Sequence, residues 1–112
     1  MKKEPKIFLE HILENIGCIE SFSIGVTEDK LAQNQKTQYA IVRAIEIIGE
    51  AVKNLPKEFT EEHAEIPWKD IVGMRDKIIH QYFDIDLDIV WQVMTVDLPD
   101  LKKKITFLLK KT

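Results

Sequence analysis

The chain has 112 residues, enough for one domain with a small core. Hydrophobic residues make up 45% of it and charged residues 31%, which is typical of a folded water-soluble protein, and no apolar stretch approaches the roughly 18 residues of a membrane span. The net charge of −3 argues against a dedicated nucleic-acid-binding domain, which normally has a basic face.

The first predicted helix runs from Pro5 to about Phe22, with proline suited to its first turn. Its apolar side consists of Phe8, Ile12, Ile16, Ile19 and Phe22. Ser23 to Gly25 is predicted to form a turn. No uninterrupted apolar core follows the N-terminal lysines, so the sequence predicts no signal peptide.

A short helical piece from Thr27 to Ala32 is predicted to lead into a long helix, roughly Asn34 to Leu55. The apolar side of the long helix consists of Ile41, Ala44, Ile45, Ile48, Val52 and Leu55. Pro56 ends this helix because the residue before a proline leaves helical space. The acidic stretch that follows is predicted to be a loop with about one helical turn, from Glu58 to His63.

Pro67 begins a further predicted helix, which ends between His80 and Phe83. Either Asp84 or Asp86 caps the next helix, about Leu87 to Thr95. Pro99 then restarts or kinks the chain into a last helix that ends near Lys110. The pattern predicts an all-α fold over residues 1–112, an up-and-down bundle of about five helices in a single domain.

The segment from Leu87 to Val96 is apolar on two sides. One side is formed by Leu87, Val90, Trp91 and Met94, and the other by Ile89, Val93 and Val96. A helix that is apolar nearly all round must be covered on both sides. Either a twofold-related copy of the chain supplies the second cover, or the helix lies inside the monomer's own bundle.

Arg75, His80 and Tyr82 form the most informative pattern, Arg-x4-His-x-Tyr. An arginine that can stabilise phosphate charge lies close in sequence to a side chain that titrates near neutral pH. In helical projection Arg75 lies in the middle of an apolar side that includes Ile71 and Ile78, an unusual place for a charge. A functional role therefore explains Arg75, His80 and Tyr82 taken together better than a position on a solvated surface does.

The same projection predicts the relations among the motif residues. Asp76 and His80 are four residues apart and can touch, so Asp76 could fix the orientation of the histidine ring. Tyr82 is nearly superimposed on Arg75. His80 lies about 140° from Arg75, so both reach one ligand only through a distortion at the helix end or through a second copy of the motif.

Two carboxylates of the long helix, Glu46 and Glu50, are four residues apart. They either belong to a solvated face or supply the counter-charge for Arg75, and the sequence leaves both interpretations open.

Three scattered histidines and the single Cys18 show no metal-ligand spacing, so no metal and no cofactor are expected. One cysteine fits a reducing, cytoplasmic setting. The lysines from Lys102 to Lys104 and at Lys110 and Lys111 have the pattern of a solvated helix face.

The motif resembles the signature of the HEPN superfamily, specifically the HepT-like toxins of the MNT/HEPN toxin–antitoxin systems. Three further segments are similar to the family: Ala44 to Ala51 (its Ile-Gly-Glu-Ala helix), Ile66 to Ile71, and the acidic turn at Asp84 to Asp88 followed by Trp91 and Asp97-Leu98-Pro99. The resemblance covers essentially the whole chain. Asp76 is a small departure, since many members have asparagine there.

The resemblance implies a homodimeric, metal-independent ribonuclease toxin with catalytic Arg75 and His80 in a composite cleft. It implies a cognate MNT-type nucleotidyltransferase antitoxin, which adds AMP groups to Tyr82. Two other interpretations remain open. The chain could be a non-catalytic nucleotide-binding or scaffold subunit of such a complex, as its acidic charge allows, or a structural helical dimerisation domain.

Overall fold

The computed structural model describes residues 4–80 and 84–111; at His80 it gives the backbone only. Helix α1 spans Pro5–Phe22, α2 spans Glu28–Gln33, α3 spans Gln35–Lys53 and α4 spans Lys57–Glu62. Helices α5, Trp68–Val72, and α6, Met74–Ile78, follow one another with only Gly73 between them.

The second half begins with a small hairpin. Strands β1, Ile79–His80, and β2, Asp84–Ile85, pair antiparallel, with Ile79 opposite Ile85. Helix α7, Leu87–Gln92, then continues through a π-helical turn, Val93–Asp97, into α8, Leu98–Lys111. None of the helices in the described ranges is both long and apolar enough to cross a membrane.

Local sequence signals explain where several helices begin. The side chains of Thr27, Asn34 and Asp86 cap α2, α3 and α7 by accepting hydrogen bonds from backbone N–H groups three residues ahead, at 3.2, 3.0 and 3.2 Å. Pro5 occupies the first turn of α1. After α1 the chain turns at Gly25, whose positive φ of 71° favours glycine.

A single apolar core lies among these helices. Helix α1 packs against α3 and α8, and α3 also packs against α5 and α6. The largest side chains with almost no solvent exposure are Leu9, Ile12, Ile16, Leu31, Ile41, Ile45, Ile48, Ile66, Ile71, Ile78, Leu98 and Ile105. Within the described ranges, no polar or charged residue is buried in this core.

The all-α fold predicted from the sequence is confirmed, and α1 has the predicted bounds. The single predicted helix after Pro67 is wrong in two respects. It is divided at Gly73, and it ends at Ile78, where Ile79 adopts extended backbone angles of φ −101° and ψ 113°. Of the two alternatives predicted at Pro99, a restart is wrong, because the π-helical turn joins α7 to α8 without a gap.

Candidate active site

A groove of about 230 Å³ lies between α3 and the α5–α6 pair. It is lined by Ile45, Glu46, Gly49, Glu50, Lys53, Lys69, Val72, Gly73, Arg75 and Asp76. The two walls come close at Gly49, where an added Cβ would lie 3.6 Å from the carbonyl oxygen of Val72. This is an ordinary van der Waals distance, so the two walls are almost in contact at Gly49.

Arg75 is held on the rim of the groove by a carboxylate of the opposite wall. Its Nε donates to Oε2 of Glu46 at 3.2 Å, and its Nη1 lies 3.4 Å from Oδ1 of Asp76. The Arg75 side chain is 48% exposed, that of Glu46 28% and that of Asp76 82%. Glu46 is thus the less exposed and closer partner of Arg75. The longer contact to the highly exposed Asp76 is easily exchanged for a contact to another anion.

The predicted position of Arg75 on the apolar side is wrong. The residues of this region that enter the core are Trp68, Ile71, Met74 and Ile78. The spacing from Ile71 through Met74 to Ile78 is helical, so Met74 occupies the inward position and Arg75, the next residue, turns outward to the groove. The charge is therefore solvated in part and paired, which removes the cost expected for a buried arginine.

The second candidate counter-charge has a different partner. Glu50 lies 4.0 Å from Nη1 of Arg43 on its own helix, and both side chains are more than 60% exposed. Glu50 still lines the groove, so its charge adds to the local field. The structure joins Glu46, and not Glu50, to Arg75.

Two lysines of the rim, Lys53 and Lys69, were missed in the sequence. A weak signal existed for one of them, since Lys53 follows Glu46 by seven residues and lies on the same side of α3. With these lysines and Arg75, the groove carries three basic and three acidic side chains. Its formal charge is balanced, so an anion placed there meets little net repulsion.

The remaining motif residues follow the end of α6. The backbone of His80 lies in β1 opposite Asp84, and its side chain falls outside the described part of the chain, as does Tyr82. The helix assumed for the predicted contact between Asp76 and His80 ends at Ile78, so the four-residue helical spacing does not extend to His80. The contact itself stays a prediction, because the His80 side chain lies outside the described part of the chain. A distortion at the helix end, one of the two ways in which Arg75 and His80 were predicted to reach a common ligand, is present at Ile79.

Arg75 is suited to bind a phosphate. With Nε fixed by Glu46, the edge of the guanidinium that carries Nη1 and Nη2 can take two phosphate oxygens once Asp76 gives way. The described ranges contain no group of three or more His, Cys, Asp or Glu side chains that could hold a metal ion. Within those ranges, the arginine edge is the feature of the groove best matched to a phosphodiester.

The chain is similar to several known proteins along almost its entire length. It is 45% identical over 104 residues to a probable ribonuclease HepT of Thermococcus cleftensis, covering 93% of this chain and 94% of that protein. It is 43% identical over 109 residues to a protein of Caldanaerobacter subterraneus subsp. tengcongensis named as a candidate RNase, covering 97% of each.

A third relative is longer. The chain is 49% identical over 105 residues to a protein of Methanocaldococcus jannaschii named as a gamma-glutamylcyclotransferase and candidate RNase, covering 94% of this chain and 47% of that protein. No solved structure is significantly similar to the chain. The profile of the family described as ribonuclease HepT-like matches residues 12–108, which include α6 and the whole motif. The chain belongs to the HepT-like ribonuclease family.

Proposed function

We propose that the chain is a metal-independent endoribonuclease, the toxin of a two-component toxin–antitoxin system that acts in the cytoplasm. The observation that carries this proposal is the arrangement of Arg75. Glu46 holds the guanidinium by Nε at the rim of an open groove, and Nη1 reaches only as far as the highly exposed Asp76, at 3.4 Å. Arg75 is also the first residue of the Arg-x4-His-x-Tyr motif. The family membership and the RNase names of the relatives support the same activity.

The reaction uses the nucleophile that RNA itself carries. A base removes the proton of the 2′-hydroxyl, whose oxygen attacks the adjacent phosphorus. The bond from phosphorus to the 5′-oxygen breaks, and an acid protonates that oxygen. The products are a 2′,3′-cyclic phosphate and a 5′-hydroxyl end. Arg75 binds the two non-bridging oxygens, whose negative charge grows in the transition state.

His80 is the group proposed to transfer protons, because its pKa range suits both donation and acceptance near neutral pH. The cycle needs one base and one acid, and each chain has one motif histidine. We therefore propose a homodimer in which two copies of the motif face one cleft. The half-buried Trp91 and Met94 and the 58% exposed Val96 offer apolar surface for such contact.

The proposed partner is a nucleotidyltransferase of the MNT type. It would silence the toxin by attaching AMP to Tyr82, two residues after His80. A nucleoside phosphate there adds bulk and negative charge beside the catalytic residues and competes with the RNA phosphate.

The activity is tested by incubating the chain with RNA in EDTA and identifying the cleaved ends. We expect a 2′,3′-cyclic phosphate, with rates at least about 100-fold lower in His80→Ala and Arg75→Ala. Arg43→Ala is the matched control, because it removes the chain's other arginine, which is exposed and pairs with Glu50. A requirement for divalent metal, or full activity in His80→Ala, would contradict the mechanism.

The balanced charge of the groove supports one alternative, a non-catalytic nucleotide-binding or scaffold subunit. This alternative predicts saturable binding of a nucleotide without turnover, which Arg75→Ala abolishes. Calorimetric titration with ATP, beside the RNA assay, separates the two functions. The dimer is tested by light scattering, where a monomer mass at micromolar concentration would exclude it.

A further inference from the structure

We propose that the outer side of α8 is a second binding site, which holds a single-stranded segment of RNA away from the Arg75 groove. The site consists of Lys103, Phe107 and Lys110, and is called the α8 face below. The proposal rests on the proposed RNA substrate. It assigns a function to the basic helix that the catalytic groove does not use.

Charge is unevenly distributed between α8 and the rest of the chain. Helix α8 carries five lysines and one aspartate, whereas the other residues include 11 basic and 18 acidic side chains. An acidic protein is a poor general ligand for RNA, so a phosphate backbone is attracted to α8, the most basic of the described helices. The helix thus provides the basic face that the overall charge of −3 conceals.

The lysines of α8 divide into two groups by their partners. Lys102 donates to both carboxylate oxygens of Glu20, at 3.0 and 2.9 Å, and Lys104 pairs with Asp100 at 3.0 Å. Lys103 and Lys110 are exposed, and neither has a salt bridge with any residue in the described ranges. These two ammonium groups are therefore available to phosphates.

An exposed aromatic ring lies between the two lysines. Phe107 is 57% exposed, four residues after Lys103 and three before Lys110, so the three side chains lie on one side of the helix. Nζ of Lys111 lies 4.3 Å from the ring centroid, and the ring also lines a shallow groove of about 520 Å³ with Lys102 and Lys103. Lysines that alternate with an exposed aromatic ring are the elements that bind single strands, through phosphates and stacked bases.

The α8 face and the Arg75 groove belong to different parts of the bundle. Helix α8 packs against α1, and α1 packs in turn against α3, which forms one wall of the Arg75 groove. The single phosphodiester of a dinucleotide can therefore occupy only one of the two sites, whereas a longer strand can reach both. The α8 face should raise the affinity for long RNA without changing the bond-breaking step.

Binding is measured by fluorescence anisotropy with a 2′-O-methyl oligouridylate of about 12 nucleotides, which lacks the nucleophile and is not cleaved. Log affinity falls as log salt rises. In the double variant Lys103→Gln/Lys110→Gln this negative slope should become shallower by about 1.4, the change expected when two phosphate contacts on a single strand are lost. The double variant Lys36→Gln/Lys57→Gln removes the same charge from exposed lysines elsewhere and should leave the slope near that of the parent. An equal slope in both double variants would overturn the proposal.

Stacking is tested at Phe107 with the same probe. Phe107→Ala should weaken binding by about 5- to 150-fold, and Phe107→Trp should restore it. Light scattering accompanies each variant. If Phe107→Ala changes the mass of the protein instead of its RNA affinity, the face is a protein interface and the proposal is wrong.

Cleavage assays separate this proposal from the ribonuclease assignment. The α8 variants should raise KM for long RNA and leave kcat/KM for a dinucleotide unchanged. If the parent cleaves neither substrate while the binding results hold, the α8 site stands and the ribonuclease function fails. If both substrates are cleaved and the α8 variants match the parent throughout, the ribonuclease stands and the α8 site fails.

Discussion

Replacing Glu46 tests whether the carboxylate positions Arg75 for catalysis. Two unit charges 3.2 Å apart attract by about 1 kcal/mol in water and about 5 kcal/mol at an effective dielectric constant near 20. Arg75 is 48% exposed and Glu46 28%, so solvent screening and side-chain ordering reduce the net stabilisation to about 1 kcal/mol or less. Glu46→Gln should therefore lower the melting temperature by only a few degrees.

The effect on RNA cleavage should exceed the effect on folding. Without its anchor the guanidinium samples other rotamers, and misplacement by about 1 Å can cost up to about 100-fold in rate. We expect kcat to fall by roughly 10-fold in Glu46→Gln, which keeps a hydrogen-bond acceptor, and further in Glu46→Ala. Removing a negative charge beside the phosphate site should at the same time lower KM, and this joint fall of kcat and KM distinguishes positioning from general damage.

Glu50→Gln is the matched control for this experiment. It removes the same charge from the same groove, one turn along α3, but its partner is Arg43 at 4.0 Å. Steady-state cleavage of a fluorogenic RNA should show kcat in Glu50→Gln within a few-fold of the parent. If Glu46→Gln keeps the parent's kcat, or if both variants lose activity equally, the contact between Glu46 and Arg75 does not position the catalytic group.

Three further predictions concern regulation, pH and the core. Tyr82→Phe should keep ribonuclease activity and escape silencing by the partner; AMP-sized mass additions that persist in this variant would disprove the modification site. Desolvation, a hydrogen bond with and repulsion from Asp88, and repulsion from Asp29 raise the pKa of Glu28 above its ordinary value of 4.5. Ionising Glu28 therefore disfavours the folded state, and that penalty grows as pH rises through the folded pKa. The melting temperature of Glu28→Gln should exceed that of Glu58→Gln at pH 7, because each variant loses one acid from the first turn of a six-residue helix and Glu28→Gln also removes the repulsion from Asp88 and Asp29. This lead should shrink towards pH 4, and a lead independent of pH contradicts the assignment. Ile48→Ala should reduce the free energy of unfolding by about 2–5 kcal/mol in urea titrations and Ile48→Val by about 1 kcal/mol, whereas equal losses would mean that the core closes around the cavity.

Local sequence signals predicted most of the helices. A sustained 3.6-residue pattern and a proline gave α1 its bounds, and Pro56 marked the end of the long helix near Lys53. The hairpin after α6 was not predicted, because strands of two residues are too short for a period-2 pattern to appear. Ile79 fitted the apolar side of a helix equally well, and only the pairing with Ile85 decides between the two structures.

The candidate site was less predictable than the fold. The motif identified Arg75, but a one-residue error in helical phase placed it on the apolar side, since Met74 and Arg75 are adjacent and only packing shows which one enters the core. The contact with Glu46 spans 29 positions in sequence. Helical periodicity shows which residues share a side of one helix and carries no information on which residue of another helix they meet.

The π-helical turn sets the direction in which the α8 face points. Val93 and Leu98 are both almost fully buried although their positions differ by five. In a regular α-helix this spacing would place them about 140° apart around the helix axis. The hydrogen bond from the N–H of Leu98 to the carbonyl of Val93 absorbs this difference, since it closes a ring one residue wider than the α-helical one. Deleting one residue from the turn would make the helix regular and rotate everything after it by about 100°. The core leucines and the outer lysines of α8 would turn together, so the leucines would leave the core unless α8 repacked.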